Sequence, residues 1–95
     1  MILSGDTIRE MGIIEPCEPR TKMKGMTYGL SMAGYDFRVE FDADGFRKNL
    51  TIPAGGFSLV STIEKVRIPN NVMGIVHDKS SWARRGVAVQ NTVLE

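Results

Sequence analysis

A mainly β fold with short helices follows from three features of the sequence. The first is strict apolar–polar alternation over Tyr35-Asp36-Phe37-Arg38-Val39-Glu40-Phe41, the pattern of a strand with one buried face. The second is a succession of short β-branched and aromatic runs, each bounded by turn residues such as Pro53-Ala54-Gly55-Gly56 and Pro69-Asn70-Asn71. The third is the close spacing of these runs, with helix expected only over residues 4–11 and one turn at Trp82–Arg85. Close spacing of such strands points to a sandwich or barrel.

The elements follow in order. Residues 4–11 read as a short helix, with Ser4 as N-cap because its hydroxyl can accept from a first-turn amide. Leu3 and Ile8 occupy the two positions of a hydrophobic staple, and Gly12 supplies the stop. Ile13-Ile14, followed by Pro16 and Pro19, is extended, since proline pushes its predecessor out of the helical region. Residues 20–34, rich in Lys, Met and Gly without a clear period, read as a loop or irregular strand. The strand over 35–41, turn chemistry at Asp42-Ala43-Asp44-Gly45 and a return strand over 46–52 make a hairpin. Further strands are expected over 57–63, 65–68, 72–76 and 87–94. The chain ends at Glu95 without a closing element, which points to a truncated chain or to completion by partner subunits.

Composition sets the limits. Ninety-five residues make one domain, 1–95, with a modest core. A net charge of +1 gives no field that would argue for nucleic acid or an anionic membrane. No apolar run reaches the roughly 20 residues of a membrane span, and the N-terminus has no signal-peptide pattern, so a cytoplasmic location is expected. The single Cys17, between Glu15-Pro16 and Glu18-Pro19, reads as a thiol in an extended connector rather than a nucleophile. One cysteine and one histidine, His77, cannot form a Cys/His zinc site, and the His-x-Glu and Pro-Cys-x-x-Cys signature of zinc nucleobase deaminases is absent.

One segment departs from the strand pattern. In Lys79-Ser80-Ser81-Trp82-Ala83-Arg84-Arg85-Gly86, Ser80 or Ser81 suits an N-cap, Trp82–Arg85 suits one helical turn and Gly86 suits a C-cap. On such a turn Ser80 shares a face with Arg84, and Ser81 with Arg85. Free amides, Lys79 and two hydroxyls together suit a phosphate chain. Capping and solvated charge explain the same residues without a ligand, and Trp82 reads more readily as packing than as a stacking platform.

Four segments, in order and in register over nearly the whole chain, resemble one superfamily. Met1-Ile2-Leu3-Ser4 with Ile8 is similar to the opening of dCTP deaminases. Ala33-Gly34-Tyr35-Asp36-Phe37 is similar to the first motif of trimeric dUTPases, of which the deaminases carry a related form. Gly56-Phe57-Ser58-Leu59-Val60-Ser61-Thr62-Ile63-Glu64, followed by Val66-Arg67-Ile68-Pro69, resembles the deaminase run ending Thr-Leu-Glu and then Leu-Pro. Lys79 to Gly86 resembles the shared second motif, Arg-Ser-Ser-Leu-Ala-Arg-x-Gly in deaminases.

The resemblance implies a distorted β-barrel or jelly roll of the dUTPase-like type, here incomplete at the C-terminus, assembling as a homotrimer with sites between subunits. It implies zinc-independent hydrolytic deamination of dCTP to dUTP and ammonia. Alternatives are dUTP hydrolysis to dUMP and pyrophosphate, a bifunctional enzyme, or a non-catalytic dNTP-binding module. The N-terminus and the Ser-Ser-x-Ala-Arg-x-Gly spacing favour the deaminase, whereas Ala-Gly-Tyr-Asp pulls toward dUTPase.

Carried over residue by residue, Ser80 and Arg84 are the catalytic candidates, Ser80 hydrogen-bonding in the reaction centre and Arg84 positioning base and water. Lys79, Ser80, Ser81, Trp82, Ala83, Arg84 and Glu95 are the substrate-binding candidates, with Mg²⁺ arriving on the triphosphate. Lys79 stands for a family arginine and loses its bidentate fork. Asp78 replaces a usual glycine and sets a carboxylate beside an anion site. The family's general-base glutamate falls beyond Glu95, so the chain is expected to be catalytically incomplete.

Overall fold

The computed structural model describes residues 1–23, 25–40, 51–90 and 92–94. The expected turn at 42–45, most of the return strand over 46–52, and Glu95 lie outside the described residues.

Helix α1, Gly5–Met11, forms where the sequence places it. The Ser4 hydroxyl accepts from the Thr7 amide at 3.2 Å, and Gly12 closes the helix at φ +67. The Gly5 amide donates to the Met32 carbonyl at 2.8 Å, and a Cβ on Gly5 would lie 2.1 Å from the Ser31 carbonyl oxygen. Glycine is therefore what lets α1 abut the segment after the first hairpin.

All described strand pairs are antiparallel. β1 (Ile14–Glu15) pairs with β7 (Lys65–Val66), setting Glu15 opposite Lys65. β2 (Thr21–Met23), β3 (Met26–Leu30) and β4 (Tyr35–Asp36) form a three-stranded sheet. β5 (Val39–Glu40) pairs with β6 (Ser61–Thr62), and β8 (Gly74–Ile75) with β9 (Val93–Leu94). No closed barrel forms among the described residues, in keeping with an incomplete dUTPase-like fold.

The structure revises several sequence expectations. Residues 20–34 contain a true hairpin, β2–β3, because Gly25 at φ +79 takes the turn position that the aperiodic composition obscured. The strand expected over 35–41 breaks at Phe37-Arg38. Its cause is a tertiary contact: the Arg38 amide donates to the Glu64 carboxylate at 2.9 Å rather than to a neighbouring strand. Among the described residues of the runs 57–63, 65–68, 72–76 and 87–94, only two in each lie in strands, and Thr51 and Ile52 lie in none. Phe57 and Leu59 alternate correctly but are 90% and 93% exposed, with no described strand alongside.

The core is small. Ile13 and Ile14 are the buried apolar residues among those described, and Glu64 is buried with them. Around Glu64 a polar cluster ties three elements together. The Arg38 Nε donates to Glu64 Oε2 at 2.8 Å, and the guanidinium lies 4.6 Å from the Tyr28 ring centroid. The Tyr35 hydroxyl lies 3.2 Å from both Glu64 Oε2 and the Pro16 carbonyl, and accepts from the Glu18 amide.

Burial works against the Glu64 charge, but the amide and guanidinium of Arg38 outweigh it and hold the carboxyl below its ordinary range. Burial pushes the Tyr35 phenol up; the Glu18 amide opposes this and the Glu64 carboxylate reinforces it. No helix among the described residues is long and apolar enough to cross a membrane.

Candidate functional site

Helix α2, Ser80–Ala83, is the turn expected in the basic segment, but its cap differs. Lys79, not Ser80 or Ser81, holds the N-cap position in extended conformation and makes no side-chain cap bond. The serine side chains are thereby released from capping. At the other end the Gly86 amide donates to Ala83 O at 3.1 Å and the Val87 amide to Trp82 O at 3.1 Å. With Gly86 at φ +85, this is a Schellman closure, and the glycine stop is as expected.

Lys79 is anchored on the hairpin sheet. Its ammonium donates to Asp36 Oδ2 at 2.6 Å and to Thr27 Oγ1 at 3.2 Å. Asp36 belongs to the Gly-Tyr-Asp segment, so two motifs separated by 43 residues meet through this one contact. Asp78, unexplained by sequence, accepts from the Val89 amide and fastens the chain leaving α2 against the chain entering it. Its carboxylate is thus engaged with backbone beside the basic residues.

These elements bound a cleft of about 660 Å³. One wall carries Arg20, Lys22, Met26 and Thr27; Lys79, Ser80 and Ser81 form the other. The size suits a small-molecule site. The Ser81 hydroxyl is buried without a hydrogen-bond partner, an acceptor and donor left over for a ligand. The described lining contains no carboxylate or imidazole. It can hold an anion, and the described part of it offers no group to activate water.

The site candidates therefore separate. Lys79, Ser80 and Ser81 are brought together in the cleft. Trp82, Ala83 and Arg84 are exposed and lie outside its lining. Trp82 is 43% exposed rather than packed into a core, with the Arg85 guanidinium 5.6 Å from its ring centroid. Glu95 lies outside the described residues. Missed by the sequence reading were Arg20, Lys22, Thr27 and Asp36. The signal for the two basic residues was their i, i+2 spacing, which puts them on one side of an extended chain.

A family model described as dCTP deaminase-like matches residues 9–94. The chain belongs to the dCTP deaminase-like family. A dCTP deaminase of Rhodospirillum centenum is 38% identical over 121 residues, covering 99% of this chain and 66% of its own length. One from Gluconobacter oxydans is 38% identical over 109 residues, covering 92% of this chain and 60% of its own. One from Pelagibacter ubique is 34% identical over 122 residues, at 99% and 66%.

The chain thus spans somewhat less than two thirds of the length of these family members. A match of 121 residues to a chain of 95 also means that the Rhodospirillum protein carries residues inside the matched span that have no counterpart here. The family match spans both the Tyr35-Asp36 and the Lys79-Ser80 segments, which meet through the Lys79–Asp36 contact.

Proposed function

We propose that this protein acts on a pyrimidine deoxynucleoside triphosphate, as a zinc-independent dCTP deaminase releasing dUTP and ammonia. The observation that carries the reading is the cleft where Lys79, Ser80 and Ser81 face a basic wall, in a chain whose family relatives are dCTP deaminases. Ser81 and the amides at the start of α2 hold phosphate oxygens, with Lys79 fixed beside them by Asp36. Ser80, freed from capping, hydrogen-bonds in the reaction centre, and Arg84 positions the base once substrate draws α2 into contact.

Mg²⁺ enters as part of the substrate. Asp36 and Asp78 are engaged by Lys79 and Val89, and no cluster of three metal-ligating side chains occurs among the described residues. A cation carried in on the triphosphate would offset phosphate charge without needing a set of protein ligands. We further propose homotrimeric assembly in the cytoplasm, supported by apolar side chains such as Phe57, Leu59 and Met32 standing about fully exposed beside a small core.

The Gly34-Tyr35-Asp36 segment favours a second reading, dUTP hydrolysis to dUMP and pyrophosphate, alone or alongside deamination. Incubation of the full-length protein with dCTP and with dUTP, followed by separation of products, decides between them. Ammonia from dCTP supports the first reading; pyrophosphate from dUTP without ammonia replaces it with the second. Tight dNTP binding with no product would leave only a binding module.

A further inference from the structure

The charge of the cleft does not come from where the motif suggests. Lys79 is the cation that the motif brings to the described lining, yet its ammonium is 2.6 Å from Asp36 Oδ2, so the pair presents little net charge to a ligand. Across the cleft stand Arg20 and Lys22, at the start of β2 and within it, and neither is in an ion pair among the described residues. They lie on the same side of the extended chain, two residues apart. The uncompensated positive charge of the described cleft is therefore theirs. Ser81, whose buried hydroxyl has no hydrogen-bond partner, lines the same space.

We propose that Arg20 and Lys22 are phosphate-holding residues, gripping the polyphosphate of the substrate from the β2 wall, opposite Ser81 on the α2 wall. Lys79, already engaged by Asp36 and Thr27, acts as the strut that keeps the two walls in register. The inference rests on the reading of the cleft as a nucleoside triphosphate site. It adds that the main electrostatic grip lies outside the second motif, on a hairpin that the motif does not include. An Arg there can engage two phosphate oxygens at once, supplying the fork that a lysine at position 79 lacks.

The test uses inorganic tripolyphosphate, which carries the phosphate chain and no base. Calorimetric titration compares the wild-type chain with Arg20→Gln, Lys22→Gln, the double variant and Lys65→Gln. Lys65 is exposed on β7, outside the cleft. Loss of a charge-assisted hydrogen bond predicts roughly tenfold weaker tripolyphosphate binding in each single variant and a larger loss in the double variant. Lys65→Gln should bind as wild type does, and Arg20→Lys should recover part of the loss from Arg20→Gln. Circular dichroism checks that the exposed substitutions leave the fold intact.

Wild-type affinity in the double variant overturns the proposal, as does an equal loss in Lys65→Gln or no tripolyphosphate binding by wild type. These outcomes are separable from the fate of the deaminase reading. A protein that deaminates dCTP with an unchanged KM in the double variant keeps that reading and loses this one. A protein that yields no ammonia but binds tripolyphosphate through Arg20 and Lys22 does the reverse.

Discussion

The Lys79 ammonium sits 2.6 Å from the Asp36 carboxylate, joining the helical turn of the basic motif to β4 of the hairpin sheet. Both side chains are about one-quarter to one-third exposed, so solvent screens much of their attraction. A double-mutant cycle with Asp36→Asn and Lys79→Gln should give a coupling of only about 0.5–1 kcal/mol in urea unfolding. The functional coupling should be larger: both single variants should lower kcat/KM for dCTP at least about tenfold, since either frees α2 from the sheet. A coupling energy of several kcal/mol would show that the pair is a folding element rather than a site strut.

Glu64 carries the opposite expectation. Its side chain is fully buried, with Arg38 as its charge partner. Removing one member of such a pair leaves a buried group unsatisfied, so Glu64→Gln should cost about 3–5 kcal/mol of stability. Urea denaturation of the variant checks this. A loss below about 1 kcal/mol would place the cluster at the surface in solution.

The same residue sets an acid limit. Folding holds the Glu64 carboxyl below its unfolded value, so its stabilisation is fully present above the unfolded pKa, about 4.3, and is lost as pH falls through the lower folded value. Tyr35 sets an alkaline limit: its folded pKa is raised, so its contribution holds below about 10 and fades as pH rises through the folded value. Thermal unfolding followed against pH should fall off at both ends. Glu64→Gln should flatten the acid side and Tyr35→Phe the alkaline side.

Two glycines offer a paired test of backbone geometry. Gly29 sits at φ +98 with its missing Cβ 2.2 Å from the Pro19 carbonyl oxygen, whereas Gly55 sits at φ +76 in open space. Gly29→Ala should cost well over about 2 kcal/mol because backbone must move, and Gly55→Ala about 1 kcal/mol from conformation alone. Equal losses in thermal melts would mean that the close approach of β3 to the Glu18-Pro19 segment is absent in solution.

How much of this was legible in the sequence depended on the range of the interactions. Helix α1 was readable because Ser4 and Gly12 act on their own neighbours. So was the Gly86 stop. The strand break at Arg38 was not, because its cause is a carboxylate 26 residues away. The cap of α2 was misassigned for a related reason: Lys79 is drawn into the N-cap position by Asp36 and Thr27, which local propensity ignores. The family was legible in four ordered segments, yet the basic wall at Arg20 and Lys22 became visible only once β2 and α2 were seen to share a cleft.

Ammonia release from dCTP, measured for the full-length protein and for its folded Ser80→Ala variant, tests the central claim most directly. Ammonia and dUTP are expected in equal amounts from wild type, with the rate falling about a hundredfold in the variant. No ammonia from wild type, or an unchanged rate in Ser80→Ala, would contradict it.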